Sequence, residues 1–212
     1  SFRPHRSPFL FAVSIAAFAA TRASGGPADA GADLEKPLEH FNRGISLMER
    51  HQAGEAIAEF QAVVDLQPEW LAGRINLGIA YLNCQKEPLL PKGEKVFREV
   101  LRRDPKSPYG HYCLAMLYMH WSRFAEAEVE LKAALEVVPN DAYTLYNLGS
   151  LARRASRTKE AEEYFRRAVE VNNAFASATY GLSRLAFTDG RRDEGKKHAA
   201  RFQELEKFHV GI

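Results

Sequence analysis

The stretch NLGSLARRASRTKEAEEYFRRAV, residues 147–169, is dense in helix formers, yet it keeps glycine or alanine at 149, 152, 161 and 168. A leucine at any of these positions would bury more surface. Small residues spaced along two helical faces therefore predict two helices that must approach each other closely. Leu145, Leu148, Leu151 and Ala152 form the apolar side of the first helix, and Ala161, Tyr164, Phe165 and Ala168 form that of the second. Gly149 and Ala161 let the pair close, and Ala168 admits whatever packs next.

The pattern repeats along the chain. Gly44, Gly78, Ala115, Gly149 and Ser183 recur at intervals of 34, 37, 34 and 34 residues. Ala56, Gly93, Ala127, Ala161 and Gly195 follow at 37, 34, 34 and 34, and a bulky residue trails them at Phe60, Phe97, Leu131 and Phe165. Each unit closes on Pro68, Pro105 or Pro139, and the fourth on Asn173. Fixed self-similarity of this length is the signature of a helical repeat array. The surplus residues fall between Gly78 and Gly93, where QKEPLLPKG (85–93) carries two prolines. Proline cannot continue a helix, so an enlarged interhelical loop is expected there.

These positions resemble the tetratricopeptide repeat (TPR) family over residues 37–209, in five units: 37–70, 71–107, 108–141, 142–175 and 176–209. The resemblance implies an all-α solenoid of helix-turn-helix units forming a right-handed superhelix. Its last helix, RRDEGKKHAARFQELEKF, is polar on one side and apolar through Ala199, Phe202 and Leu205, as a terminal cap should be. Two features depart from the family pattern. The usual aromatic near the start of the first helix is replaced by His40, Arg74, His111, Leu145 and Thr179, and the fifth unit has Gly195 and Ala199 where alanine and a bulky residue are usual. FNRGISLMER, INLGIAYLN, FREVLRRDP and YGLSRLA are also similar to the repeat segment that precedes FG-GAP propeller domains in some large exported bacterial proteins.

The resemblance implies a groove lined by the first helix of each unit, with a protein or peptide segment as partner. Mapped residue by residue, it takes Asn42 and Ile45 from unit one, and Asn76, Ile79 and Asn83 from unit two. Unit three supplies Tyr109, Tyr112, Met116 and Met119. Tyr143, Tyr146, Asn147, Arg153 and Arg154 come from unit four, and Tyr180 and Arg184 from unit five. The helix of unit three is apolar nearly all round, so it is either buried on both sides or awaiting a ligand. Asn42, Asn76 and Asn147 share one frame position. An amide row there can donate to and accept from an extended backbone, or each amide can brace its own neighbourhood. Arg153, Arg154 and Arg184 suit either an acidic ligand or solvated helix ends. Chaperone-binding members clamp a terminal carboxylate with cations, but Phe41, Ile45, Tyr109 and Cys113 stand at those places here, so no such clamp is expected.

The ends and the composition bound the rest. Basic SFRPHR, the apolar run Phe9–Ala20 and the small-residue patterns that follow it read as an export signal over 1–23, with a flexible linker over 24–36. An N-terminal membrane anchor is the alternative, since the run is short for a span. Without residues 1–23 the formal charge falls from +2 to −1, so the basic cluster Arg191, Arg192, Lys196 and Lys197 does not imply nucleic acid. Cys84 and Cys113 are too few for a disulfide framework. No glycine-rich phosphate loop, HExxH or GxSxG is present, and His111, Cys113 and His120 do not share one helical face. A non-catalytic binding protein without metal or cofactor is expected. The alternative is a scaffold that packs on another domain of its own polypeptide or self-associates.

Overall fold

A computed structural model describes residues 34–210. The expected export signal and nearly all of the expected linker lie outside the described residues. Among those residues there are ten helices and no strand: α1 (Glu35–Glu49), α2 (Ala53–Leu66), α3 (Leu71–Cys84), α4 (Leu90–Arg103), α5 (Pro108–His120), α6 (Phe124–Val137), α7 (Ala142–Arg154), α8 (Thr158–Val171), α9 (Ala176–Thr188) and α10 (Arg192–Val210). They divide between Trp121 and Ser122 into two compact units. In the first, each helix from α1 to α5 packs on the next, and α3 also touches α5. In the second, α6 to α10 do the same, and α7 touches α9. The fold is an all-α solenoid of stacked helix hairpins.

Glycine and phenylalanine set the spacing within a hairpin. A Cβ added to Gly44 would stand 2.6 Å from the Phe60 ring, one on Gly78 2.4 Å from Phe97, and one on Gly149 2.7 Å from Phe165. No real Cβ fits at such distances, so the ring occupies the volume that a side chain on the first helix would need. Phe60, Phe97 and Phe165 are fully buried as a result, each contributing about 1.5–3 kcal/mol relative to an exposed ring. Phe165 is enclosed on two sides, because a Cβ on Gly181 of the next repeat would lie 2.8 Å away. In the first unit the seams between repeats use Gly73 against Val63 and Gly110 against Leu101, at 2.6 and 2.8 Å. The last hairpin solves the problem differently. Ser183 replaces the glycine, Ala199 replaces the ring, and the Ser183 hydroxyl donates to the Gly195 carbonyl at 3.0 Å.

The turn inside each hairpin has a recurring left-handed residue. His51, Gln85, Ser122, Ser156 and Gly190 have φ of 60, 51, 59, 59 and 77°. In three of these turns the following amide reaches back five residues, as with Arg157 N–H to Ala152 C=O at 2.9 Å and Arg191 N–H to Ala186 C=O at 2.8 Å, which satisfies carbonyls left over at the helix end. The same bond joins Gln52 N–H to Leu47 C=O at 2.8 Å. Ser107 and Asp141 cap the starts of α5 and α7, accepting from Gly110 N–H at 3.2 Å and Thr144 N–H at 2.7 Å.

Two boundaries differ from those expected. Helix α1 begins at Glu35, inside the expected linker. The enlarged loop over 85–93 is confined to 85–89, because Leu90, Pro91 and Gly93 already belong to α4. Proline within the first turn of a helix removes only an amide that has no partner, so Pro91 starts the helix where it was expected to interrupt it. Helix α3 takes up part of the insertion, with 14 residues against 13 in α5, α7 and α9.

An ionic lattice joins successive second helices of the second unit. Arg157, at the start of α8, forks onto Glu128 of α6 at 2.6 and 2.9 Å and also meets Glu160 at 2.8 Å. One repeat later, Arg191 forks onto Glu162 at 2.7 and 3.2 Å and meets Glu194 at 2.7 Å. Paired forks of this kind are the stronger class of surface ion pair. The bond from Arg157, with help from Lys132, holds the Glu128 carboxyl down to about 2 from its ordinary 4.5. A carboxyl depressed on folding stabilises fully above its unfolded value and loses that contribution as the pH falls through the folded one. In chemical denaturation across pH, the stability gap between the native chain and Glu128→Gln is therefore expected to be widest near neutrality and to close from pH about 4.5 to about 2. A gap independent of pH would contradict the pairing.

Candidate functional site

Burial sorts the first-helix residues expected to line a groove. In the first unit, Asn42 is exposed, while Ile45, Asn83, Tyr109, Tyr112 and Met119 are half-buried. Ile79 and Met116 are 1% and 2% exposed, so packing consumes them and they offer no surface to a ligand. The burial of Met116 settles one side of α5, since Leu114, Ala115 and Tyr118 on its other side are buried too. Of the residues expected from α5, only Tyr109, Tyr112 and Met119 keep part of their surface accessible.

The asparagines turn inward. The Asn76 side-chain amide donates to Ala72 C=O at 2.9 Å and that of Asn147 to Tyr143 C=O at 2.9 Å, each four residues back on its own helix. This local bond is available to any mid-helix asparagine whose side chain is shielded from water. Asn76 and Asn147 are 4% and 9% exposed, and Cys113 at the same frame position is fully buried. Among the three amides only Asn42 stands in the open.

In the second unit the aromatic residues of α7 gather on Phe175. Its ring meets Tyr143 at 5.0 Å and Tyr146 at 5.3 Å between centroids, and Tyr146 also meets Phe165 at 5.8 Å. The two contacts with Phe175 are edge-to-face and the third is tilted; together they hold the tyrosines in place and leave part of each ring uncovered. Tyr143 is 42% exposed. Tyr180 packs on Phe202 at 5.1 Å, with the Arg184 guanidinium 6.0 Å from its ring centre. Arg153 and Arg184 are exposed. Arg154 lies 4.0 Å over the Phe124 ring, a cation–π contact within the unit. Tyr143, Arg153, Tyr180 and Arg184 thus sit on the two touching first helices α7 and α9.

The three residues weighed as a metal cluster have separate engagements. A ring nitrogen of His111 lies 3.0 Å from Pro105 C=O, and one of His120 lies 3.2 Å from Glu87. Burial pushes the Cys113 thiol up to about 12. A thiol so buried is a packing element rather than a nucleophile. Among the described residues no group of three or more His, Cys, Asp or Glu could hold a metal ion, and no helix is long and apolar enough to cross a membrane.

One feature was not drawn from the sequence. Arg74 of α3 and Pro91, Glu94, Lys95, Arg98, Glu99 and Arg102 of α4 line an open cleft of about 610 Å³ in the first unit. Its signal in the sequence is the cation spacing in KGEKVFREVLRR, residues 92–103.

Comparison with known proteins bears on the fold. Residues 109–174 match the tetratricopeptide repeat family model. Protein O-mannosyl-transferase Tmtc3 of Drosophila melanogaster is 28% identical over 108 residues; the match takes in 51% of this chain and 11% of that protein, so the chain spans about a tenth of that relative's length. Among solved structures, PilF of Pseudomonas aeruginosa superposes with a TM-score of 0.72 at 16% identity, covering 81% of this chain and 77% of that one. MamA of Desulfovibrio magneticus RS-1 superposes at 0.68 with 19% identity, covering 83% and 98%. At such identities the likeness shows the fold alone.

The two thiols give a direct check on the burial pattern. A maleimide added to the native chain is expected to label the half-buried Cys84 and to reach Cys113 only after unfolding. Equal labelling rates at both positions would contradict the closed seam around α5.

Proposed function

We propose, for a chain built of tetratricopeptide repeats, that it is a non-catalytic binding module whose first helices hold a peptide or protein segment. The carrying observation is that the touching helices α7 and α9 keep Tyr143 exposed at the start of α7 and Arg153 and Arg184 exposed towards their ends. Partly covered aromatic rings and exposed guanidinium groups on one pair of helices are the surface chemistry of protein recognition. Proteins of this repeat type serve generally in protein–protein interaction. The buried state of Asn76 and Asn147 moves the weight of recognition from backbone amide contacts to these aromatic and cationic side chains.

A second reading is a scaffold segment that packs on another domain of a longer polypeptide. It is favoured by the match to Tmtc3, of whose length the matched segment is about a tenth.

The test is a peptide array probed with the full chain and with a Tyr143→Ala, Arg184→Glu double variant, after checking that both melt cooperatively. A shared sequence motif, bound about tenfold more weakly by the variant, is expected if a few central contacts dominate. No motif, or equal binding by both proteins, would overturn the groove reading and leave the scaffold one.

A further inference from the structure

We infer that the α3–α4 cleft of the first unit is a second docking surface, and that its occupant is an acidic helical segment of a partner protein, seated on Lys95, Arg98 and Arg102. The cleft is separate from the first-helix residues proposed above, so the inference stands or falls independently of them.

The geometry begins with spacing. Pro91, Lys95, Arg98 and Arg102 line the cleft at i, i+4, i+7 and i+11. Those offsets fall in one narrow stripe of a helix, and at about 1.5 Å rise per residue Lys95 and Arg102 are about 10 Å apart along α4. The opposite wall contributes a further cation, Arg74, whose guanidinium is anchored on Pro68 C=O at 2.8 and 3.0 Å.

The charge is local. Residues 34–121 hold eleven Lys and Arg against eleven Asp and Glu, so the first unit as a whole is balanced. Helix α4 itself carries Lys92, Lys95, Arg98, Arg102 and Arg103 against Glu94 and Glu99, and Arg103 also pairs with Glu69 at 2.6 Å. The two glutamates of α4 flank the cationic stripe and hold its arginines in place. Glu94 accepts from Arg98 at 2.9 and 3.0 Å, and Glu99 accepts from Arg102 at 2.7 and 2.8 Å and from Arg103 at 2.7 Å. Arg98 is further fixed by a 2.7 Å bond to the Tyr118 hydroxyl. Guanidinium groups oriented before a ligand arrives lose less freedom on binding it. Lys95, about one turn before Arg98, is exposed.

This arrangement selects the partner. A cleft open to solvent, with four cations on its walls, suits a chain segment rather than an enclosed small molecule. Carboxylates placed at i, i+3 and i+7 on a second helix have the same rise as the stripe at 95, 98 and 102. An acidic helix laid along α4 therefore meets each cation with a carboxylate.

The experiment measures fluorescence anisotropy with the full chain and a labelled, alanine-rich peptide of about 15 residues carrying glutamates at i, i+3 and i+7, long enough to populate helix. The same peptide with lysines, and an oligothymidine of similar charge, are run beside it. The glutamate peptide is expected to bind, and to weaken steeply with added salt. Lys95→Glu with Arg102→Glu is expected to weaken it by about tenfold and to favour the lysine peptide instead, while Lys196→Glu with Lys197→Glu, equal in net charge, leaves it within about twofold. If the first pair does not fold, Lys95→Gln, at an exposed position, is expected to weaken binding by about threefold. The inference is overturned by no binding, by equal loss in both pairs, by an unaffected Lys95→Gln, or by tighter binding of the oligothymidine through the same residues.

Discussion

A phenylalanine ring seated in the volume where a Cβ would otherwise stand fixes how closely two helices approach. The rest of this structure follows from that distance. With Phe60, Phe97 and Phe165 lodged over Gly44, Gly78 and Gly149, three of the hairpins close until ring meets glycine. The seams between hairpins then close through Gly73, Gly110 and Gly181. Tight hairpins leave no space for the middle of a first helix to stay wet, which is why Ile79, Met116 and Asn76 are buried. The surface available for recognition is what packing leaves over.

That leftover surface is chemically uneven. On α7 and α9 it is aromatic and cationic, and on α4 it is almost purely ionic. The difference arises because a second helix spends its apolar side on the hairpin core and presents a solvated back, whereas a first helix lies between neighbours and exposes only an edge. The forks from Arg157 and Arg191 show the solvated backs at work, joining α6 to α8 and α8 to α10 by ion pairs.

Most of the fold was legible because it rests on small residues in fixed register, and smallness is written directly in the sequence. Leu145, Leu148, Phe165 and Ala168 face the core as their spacing requires. The extent of the insertion was not legible, since a proline reads alike in a loop and in the first turn of a helix; Pro91 occupies the latter. The turns were equally silent. His51, Gln85, Ser122 and Ser156 adopt a left-handed conformation that only Gly190 advertises. For the candidate site the frame position was readable, but the state of each residue there was not. Asn42, Asn76 and Asn147 look identical in sequence, and whether an amide faces solvent or bonds its own helix depends on the repeat stacked beside it.

The most direct measurement is the unfolding free energy of Gly149→Ala, Phe165→Leu and the two combined. In an ordinary helix alanine is more favourable than glycine by about 1 kcal/mol. Here the added Cβ would stand 2.7 Å from the Phe165 ring, so Gly149→Ala is expected to destabilise by about 1–3 kcal/mol, as overpacking does. The combined variant should recover part of that loss, because the smaller leucine vacates the space that the new methyl needs. A stabilising Gly149→Ala, or strictly additive effects, would contradict the ring-on-glycine contact as the constraint that spaces the helices.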